Sequence, residues 1–243
     1  MEHRKKVVFC TPFLSRPTPP FIASMEASLP LIEAAGWEHG MAQELGNIYI
    51  SVARSFLLAK ALRAEPDVIV FMDYDLSWDA RDLLTLIDTD GEVVAGTYRY
   101  KKDEEEYMGE WFTDANGVPI TRPDGCIAGS KVPAGFLKIT PKTVERFMEA
   151  YPDLIYGKPW AYHVDLFHHG AHKRIWYSED YAFSRNWRDL GGNIWIVPNL
   201  NLTHHNHGDG DRAYPGNLHE YLLRQPGGSK SDVPAPTQLR SVA

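Results

Sequence analysis

The sequence predicts an α/β fold in which helices flank a mixed, mostly parallel sheet. Two observations support this prediction. Strand-like and helical segments alternate through the first half of the chain, in the order strand, helix, helix, strand, helix, strand. The stretch VIVFM, residues 68–72, is apolar throughout, as is typical of a strand that is covered on both faces.

The first half contains six predicted elements. Proline is expected to break or kink the first helix at Pro30 and to end the second at Pro66. Either Ser77 or Asp79 is expected to cap the third helix. In order, the segments are strand KKVVFCTP (5–12), helix FIASMEASL (21–29), helix ISVARSFLLAKALRAEP (50–66), strand DVIVFMDYD (67–75), helix WDARDLLTLIDTD (78–90) and strand EVVAGTYRY (92–100).

The second half is less regular. Residues 101–130 are polar and glycine-rich, with a hairpin expected around DANGVP, and residues 151–177 show no clear period. Helices are expected at PKTVERFMEA (141–150), with Thr140 as its cap, and at SEDYAFSRNWRDLGG (178–192), with Ser178 as its cap. Strands are expected at KVPAGFLKIT (131–140), NIWIVP (193–198) and LNLTHH (200–205).

Length and composition limit the class of protein. The 243 residues fit one domain over 1–224, followed by a disordered tail over 225–243. No apolar run is long enough for a membrane span, and the basic start of the chain lacks the apolar stretch of a signal peptide, so we expect a cytoplasmic protein with no membrane partner. A net charge of −7 does not favour nucleic acid as a general partner. The two cysteines indicate no disulfide framework.

Two carboxylates, Asp73 and Asp75, follow directly after the apolar strand. Ligands in open α/β sheets bind outside the carboxyl ends of the strands. Residues two apart in extended chain point the same way, so the two carboxylates repel each other unless a cation lies between them. Oxygen ligands favour Mg²⁺ or Mn²⁺. The alternative interpretation is a solvated turn, with Asp79 and Asp82 nearby.

The segments around this pair resemble a known enzyme family. The passage FMDYDLSW…LLTLID…EVVAGTYRYK resembles the DxD region of nucleotide-sugar-dependent glycosyltransferases with the Rossmann-like GT-A fold, in the style of the family 2-like enzymes of bacteria and phages. NIYISVARSFLL resembles their arginine-bearing helix, and VPAGFLKIT their acceptor-side glycine segment. YSEDYAFSRNWRDLGGNIWIVPNLNLTH resembles their ED…R…G…H ending. These matches keep the family's order from about Val7 to Gly216.

The resemblance implies a donor site and a metal site. The donor would be a nucleoside-diphosphate sugar, with a UDP-sugar favoured, and the metal Mn²⁺ or Mg²⁺. Asp73 would contact the donor ribose or the metal, and Asp75 would bind the metal. His204 would complete the metal site, with His207 as second choice. The remaining donor-binding candidates are Thr11, Pro12, Arg54, Tyr74 and Gly135.

The resemblance also implies catalytic residues. Asp180 would take the proton from an acceptor hydroxyl, which would make the transfer inverting; without a base in reach of the acceptor, retention is the alternative. Glu179 would hold acceptor hydroxyls. Acidic residues in the first turn of a helix also favour the helix dipole without any further role. The acceptor would be a glycan, a small molecule or a modified DNA base; the last would need a local basic patch, for which the candidates are Arg99, Lys101, Lys102, Lys173, Arg174, Arg185 and Arg188.

Several alternatives remain at this point. FMDYDLS also resembles the DxDxS motif of haloacid dehalogenase-type phosphatases, although there the motif normally lies on the first strand. A non-catalytic sugar- or nucleotide-binding module is a second alternative, and a nucleotidyltransferase, which would need a glycine-rich phosphate loop, a third. The aromatic residues between Tyr151 and Trp187 are interpreted as core or lid packing rather than as stacking platforms. A zinc site would combine His205 and His207 with His168, His169 or His172.

Overall fold

The computed structural model describes residues 4–206 and 212–225. The strands are β1 Lys6–Phe13, β2 Glu38–Leu45, β3 Val68–Met72, β4 Leu76–Trp78, β5 Val93–Ala95, β6 Glu110–Trp111, β7 Ile127–Lys131, β8 Phe136–Ile139, β9 Ile155–Lys158, β10 Ala161–Val164, β11 Gly170–His172, β12 Ile175–Tyr177, β13 Trp195–Ile196, β14 Asn201–His205 and β15 Ala213–Asn217. The helices are α1 Pro19–Ala34, α2 Ile50–Leu62, α3 Ala80–Asp88, α4 Pro141–Ala150, α5 Glu179–Asp189 and α6 Leu218–Arg224.

A mixed eight-stranded sheet forms the centre, in the order β2-β1-β3-β8-β5-β13-β7-β6. Strands β2, β1 and β3 pair in parallel, as do β5 and β13. The other pairings are antiparallel, so only β8 and β7 run against the remaining strands of this sheet. The predicted α/β class with a mostly parallel, helix-flanked sheet is therefore confirmed.

Helices cover both faces of the sheet because its central strands are apolar on both sides. Ile69 and Phe71 of β3 pack in one cluster with apolar residues of α2, α4 and α5. Val70 and Met72, which point the opposite way, pack in the other cluster with α1 and α3. All five residues of β3 are buried. This burial on two faces explains the continuous apolar run and fixes the position at which β3 ends.

A smaller sheet, in the order β15-β14-β4, lies next to the end of β3. Its middle strand β14 pairs antiparallel with β4, which places His204 opposite Leu76. The start of α3 holds β14 in place, because Asp82 Oδ2 accepts the Asn201 N–H at 2.7 Å and Asp79 Oδ2 accepts from Asn201 Nδ2 at 2.7 Å. Asp79 is the N-cap residue by position, but its carboxylate makes no capping hydrogen bond.

The structure of the first half differs from the expectation in two places. The sequence analysis missed β2, which pairs with β1 at the edge of the sheet. Its residues, EHGMAQEL, are mostly polar and only one of them is buried, so no apolar pattern marks the strand. Pro30 does not end α1, which continues to Ala34. Pro30 is exposed, whereas Ile32 beyond it is fully buried, and this burial favours continuing the helix.

The second half contains structure that the sequence did not reveal. Residues 155–164 and 170–177 form two hairpins, β9–β10 and β11–β12. Their aromatic side chains were expected to be packed, yet Trp160 and Trp176 are 79% and 71% exposed. The expected turn around DANGVP is present, with Thr113 bridged to Pro119. Within the described ranges, no helix has the length and apolar character needed to cross a membrane.

Candidate active site

The Asp73–Tyr74–Asp75 segment lies immediately after β3, at the carboxyl end of that strand. Because β8 runs antiparallel to β3, the residue just before β8 lies beside the residue just after β3. The Asp73 N–H accordingly donates to the Gly135 carbonyl at 2.9 Å. The fold thus brings the predicted carboxylate segment and the predicted glycine segment into direct contact.

Arg54 lies beneath this segment and joins two carboxylates. Its guanidinium donates to Asp73 Oδ1 at 2.9 Å, and Arg54 Nε lies 3.6 Å from Glu179 Oε1. The side chain is only 2% exposed, and burial is the main force lowering its pKa. The charges of Asp73 and Glu179 more than offset this effect, so the pKa rises. The structure therefore brings together three predicted site residues, Arg54, Asp73 and Glu179. Arg54 is the buried cation that joins the two carboxylates, and it is not open to solvent.

The Arg54 Nε–H has no hydrogen-bond acceptor among the residues that the structure describes. A buried donor without an acceptor is uncommon and costly. The nearest carboxylate oxygen, Glu179 Oε1, is slightly beyond hydrogen-bonding distance at 3.6 Å. A small movement of Glu179 would satisfy the donor.

Gly135 is required by close packing. A Cβ atom at this position would lie 2.1 Å from Tyr98 Oη and 2.4 Å from Asp73 Oδ2. Both distances are far shorter than any van der Waals contact. Tyr98 is buried, and its hydroxyl lies 3.4 Å from Asp73 Oδ2. The lack of a side chain at Gly135 thus allows Asp73 Oδ2 and Tyr98 Oη to lie this close, while Arg54 binds the other oxygen of Asp73.

We expect Gly135→Ala to displace Asp73 and to weaken nucleotide binding by about tenfold or more. Overpacking a close contact of this kind costs roughly 1–3 kcal/mol. The measurement is calorimetric titration with UDP and Mn²⁺, alongside a thermal melt. Gly40→Ala is the matched control, because its new Cβ would meet only Val8, at an ordinary 3.6 Å. Equal UDP affinity in the two variants would contradict the role given to Gly135.

Asp75 faces His204 and Lys101. Lys101 Nζ lies 2.5 Å from Asp75 Oδ2, and His204 Nε2 lies 3.5 Å from the same oxygen. Burial by itself would raise the pKa of Asp75. Hydrogen bonding and charge from His204 and Lys101 outweigh burial and lower the pKa to about 2. Asp75 is therefore ionised at neutral pH, beside the ammonium of Lys101 and the ring of His204.

The orientation of His204 suits a metal ligand. Its Nδ1 is 2.9 Å from the Arg99 carbonyl, which can only accept, so Nδ1 carries a hydrogen. In the neutral ring, Nε2 then presents its lone pair on the side of Asp75. Two ligand atoms that share one metal at ~2.1 Å are separated by about 3.0–3.5 Å. The Asp75–His204 pair therefore fits a divalent cation.

The described residues do not form a complete metal coordination shell. Within residues 4–206 and 212–225, no three His, Cys, Asp or Glu side chains form a metal-binding group. Asp73, a predicted metal ligand, is instead engaged by Arg54 and Tyr98. Mg²⁺ and Mn²⁺ are commonly held by one or two protein side chains together with water and the phosphates of the substrate. The geometry is compatible with this kind of shared site.

Asp180 is nearly buried at the start of α5 and keeps one oxygen free. Its Oδ1 accepts from the Ser178 hydroxyl and, at 2.7 Å, from the Tyr181 N–H, whereas Oδ2 accepts no hydrogen bond from any described residue. Burial, followed by the charge of Glu179, raises the pKa of Asp180 to about 6. A carboxylate held by one oxygen, with a raised pKa, is suited to accept a proton near neutral pH.

The predicted donor contacts at β1 are less direct. Thr11 is fully buried, and its hydroxyl has no hydrogen-bond partner among the described residues. Pro12 is buried beside it. Neighbouring residues, rather than Thr11 and Pro12, contact the predicted site residue Tyr74. The ring centroid of Phe13 lies 5.8 Å from that of Tyr74, and the Thr18 hydroxyl donates to the Tyr74 carbonyl. Donor contacts by Thr11 and Pro12 remain predictions.

The histidines do not assemble into a separate site among the described residues. His168 bonds Asp165, His169 bonds Ser51 and His205 bonds Ser77. No group suitable for zinc is found within the described ranges. His207, the second choice for the metal, lies outside the described residues.

The sequence analysis did not assign Lys101 or Tyr98 to the site. Tyr98 lies near the end of the strand predicted at 92–100, and Lys101 directly follows that strand. Both belong to the passage EVVAGTYRYK. Lys101 appeared only as one residue of a hypothetical basic patch. Strands β3 and β5 run in the same direction in one sheet, so their carboxyl ends lie at the same edge. This shared edge is the signal that could have identified both residues.

No family model matches the chain, and no curated protein matches it either. Solved structures do show similarity. A197 from STIV has a TM-score of 0.48 at 15% identity, covering 88% of this chain and 94% of that chain. Drosophila beta1,4galactosyltransferase 7, in complex with manganese, UDP-Gal and xylobiose, has a TM-score of 0.43 at 13% identity, covering 93% and 76%.

A further similar structure is the inositol-1-phosphate CTP transferase from T. maritima, with a TM-score of 0.42 at 11% identity, covering 83% of this chain and 88% of that chain. The similar structures thus include transferases of different kinds. At these scores and identities, the activity has to be inferred from the residues of the site.

Proposed function

We propose that this protein is a metal-dependent glycosyltransferase of the GT-A type, built as one domain over residues 1–224. It would transfer a sugar from a nucleoside-diphosphate sugar, with UDP-sugars favoured, to an acceptor hydroxyl. The observation that carries the proposal is the convergence of Asp75 with His204, and of Asp73 with Glu179 through Arg54, at the carboxyl end of β3. The order of the resembling segments is consistent with family 2-like enzymes.

In this proposal, Asp75 and His204 would hold Mn²⁺ or Mg²⁺. When bound, such a cation neutralises the diphosphate and so stabilises it as a leaving group. Arg54 fixes the carboxylates of Asp73 and Glu179, which leaves Asp73 to orient the ribose and Glu179 to orient acceptor hydroxyls. Because Arg54 is buried, it positions these groups rather than touching the donor.

Asp180 would act as the general base. Its free Oδ2 accepts the acceptor proton as the acceptor oxygen attacks the anomeric carbon, while the Ser178 hydroxyl and the Tyr181 N–H fix the other oxygen. Attack by the acceptor directly on the carbon that bears the diphosphate inverts the configuration at that carbon. The acceptor in this proposal would be a hydroxyl group, on a glycan, a small molecule or a modified DNA base.

The proposal is tested by isothermal titration of the purified protein with UDP, GDP and their common sugar conjugates. Each nucleotide is titrated once with Mn²⁺ and once with EDTA. Metal-dependent binding of one nucleotide supports the proposal and defines the donor for an acceptor screen. If a folded protein binds none of them under either condition, the proposal fails, and release of phosphate from small phosphoesters becomes the next assay.

A further inference from the structure

Lys101 occupies the position on Asp75 that the proposed function gives to a metal ion. Its ammonium lies 2.5 Å from Asp75 Oδ2, the same oxygen that faces His204 Nε2. The side chains of Lys101 and Asp75 are 28% and 16% exposed, so the pair is partly shielded from water. An ammonium against this oxygen opposes the binding of a divalent cation there, because the two positive charges repel each other.

The loop that carries Lys101 is anchored rather than free. Tyr100 N–H donates to the Glu106 carbonyl at 2.9 Å, which closes the loop over residues 100–106. The Arg99 guanidinium donates to the Asp103 carbonyl at 3.0 Å inside it. On the outside, Asp103 pairs with Arg212, and Glu105 forms two hydrogen bonds with Arg224 at 2.8 and 2.7 Å.

These contacts account for most of the acidic run within the loop. Asp103 and Glu105 are engaged by Arg212 and Arg224, and Glu106 is engaged by Lys102. The two neighbouring lysines therefore have different partners. Lys102 pairs within its own loop, whereas Lys101 reaches across to Asp75, 26 positions earlier in the chain. The anchored loop directs one ammonium at the carboxylate.

We infer that Lys101 is a built-in counter-cation of Asp75, which excludes the metal until the donor arrives. This inference rests on the proposed function. Without a donor, the ammonium neutralises Asp75 and opposes binding of a divalent cation. The oxygens of a bound diphosphate would offer the ammonium a new anionic partner close by, which would leave Asp75 available to the metal that accompanies the donor. Metal and donor therefore bind together rather than in sequence.

The experiment is calorimetric titration of the donor-free protein with Mn²⁺, comparing wild type, Lys101→Met and Lys102→Met. Methionine keeps most of the length of the side chain and removes its charge. We expect Lys101→Met to bind Mn²⁺ about tenfold or more tightly than wild type without any nucleotide, because the competing charge is gone. Lys102→Met should match wild type, since Lys102 pairs with Glu106. Lys101→Arg, which keeps the charge, should bind Mn²⁺ as weakly as wild type.

A second titration, with UDP at saturating Mn²⁺, tests the other half of the inference. Lys101→Met should bind UDP several-fold more weakly than wild type and Lys102→Met. Equal Mn²⁺ affinity in Lys101→Met and wild type, including no measurable binding in either, overturns the inference. Failure of wild type to bind any nucleotide overturns the proposed function, whereas the Mn²⁺ titration reports on the Lys101–Asp75 pair without nucleotide. Circular dichroism and melting curves verify that each variant is folded.

Discussion

Asp75→Ala is expected to eliminate metal-dependent nucleotide binding while leaving the fold intact. Removing the carboxylate leaves His204 as the one protein ligand of the proposed pair, and Lys101 then places an unopposed positive charge at the metal position. We expect the affinity for UDP with Mn²⁺ to fall about 100-fold or more, to the value measured in EDTA. The measurement is the same nucleotide titration, with the difference between Mn²⁺ and EDTA as the readout.

The effect on stability should be small. The Asp75–Lys101 pair is partly exposed, and ion pairs of this kind contribute about 0–1 kcal/mol. Asp153→Asn is a suitable control, because Asp153 is an exposed carboxylate in the turn after α4. A folded Asp75→Ala protein that keeps its Mn²⁺-dependent UDP affinity would remove Asp75 from the metal site. A large fall in the melting temperature would indicate a structural role instead.

Asp180→Asn is expected to spare nucleotide binding and to reduce sugar transfer by ~10²–10⁴-fold, which is the usual contribution of a positioned general base. Asparagine is nearly the same size and still accepts from the Tyr181 N–H through its carbonyl oxygen. It cannot accept a proton. The measurements are UDP affinity by calorimetry and the transfer rate, with the acceptor found by the screen. Transfer at the normal rate would show that Asp180 is not the base.

The pH dependence provides a second test of Asp180. Its pKa is raised to about 6, so the base is protonated and inactive below that pH. Wild-type transfer should therefore fall as the pH drops through about 6, whereas the residual rate of Asp180→Asn should show no such decline. Glu179→Gln is the comparison variant: it should keep an acid limb, but at lower pH, because the charge of Glu179 helps to raise the pKa of Asp180. If that variant loses the acid limb instead, the roles of the two residues are reversed.

Stability should respond to pH in a related way. Because the folded pKa of Asp180 is raised above its unfolded value, the favourable contribution is present at low pH and is lost as the pH rises through about 6. Above that pH, the protein carries a nearly buried charge that Asp180→Asn removes. We therefore expect the melting temperature of the variant, relative to wild type, to be higher at pH 8 than at pH 4.

The sequence was informative where local pattern and tertiary structure agree. The run of residues 68–72 is apolar because β3 is buried on both faces, and α4 matches its predicted span, with Pro141 at its first turn. The sequence was uninformative where contacts between distant segments determine the secondary structure. The edge strand β2 has no apolar pattern, and α1 continues through Pro30 because Ile32 is buried beyond it.

The site shows the same division. Asp73 and Asp75 were predicted from one strand and the carboxylates that follow it. The buried position of Arg54 between two carboxylates was not, because helical spacing does not reveal which charge a buried arginine meets. Lys101 was missed because its role depends on how a loop of polar residues folds. That fold is set by Arg212 and Arg224, more than a hundred positions further along the chain.

The pairing of β4 with β14 brings together side chains that lie far apart in the chain. Ser77 of β4 bonds His205 of β14 across 128 positions of sequence, and β14 also brings His204 to Asp75. Contacts of such long range form slowly, because a large loop must close before they gain any energy. A chain still emerging from the ribosome holds Asp75 long before it holds His204. Competence to bind a divalent cation through this pair therefore appears only when nearly the whole domain has been made and folded.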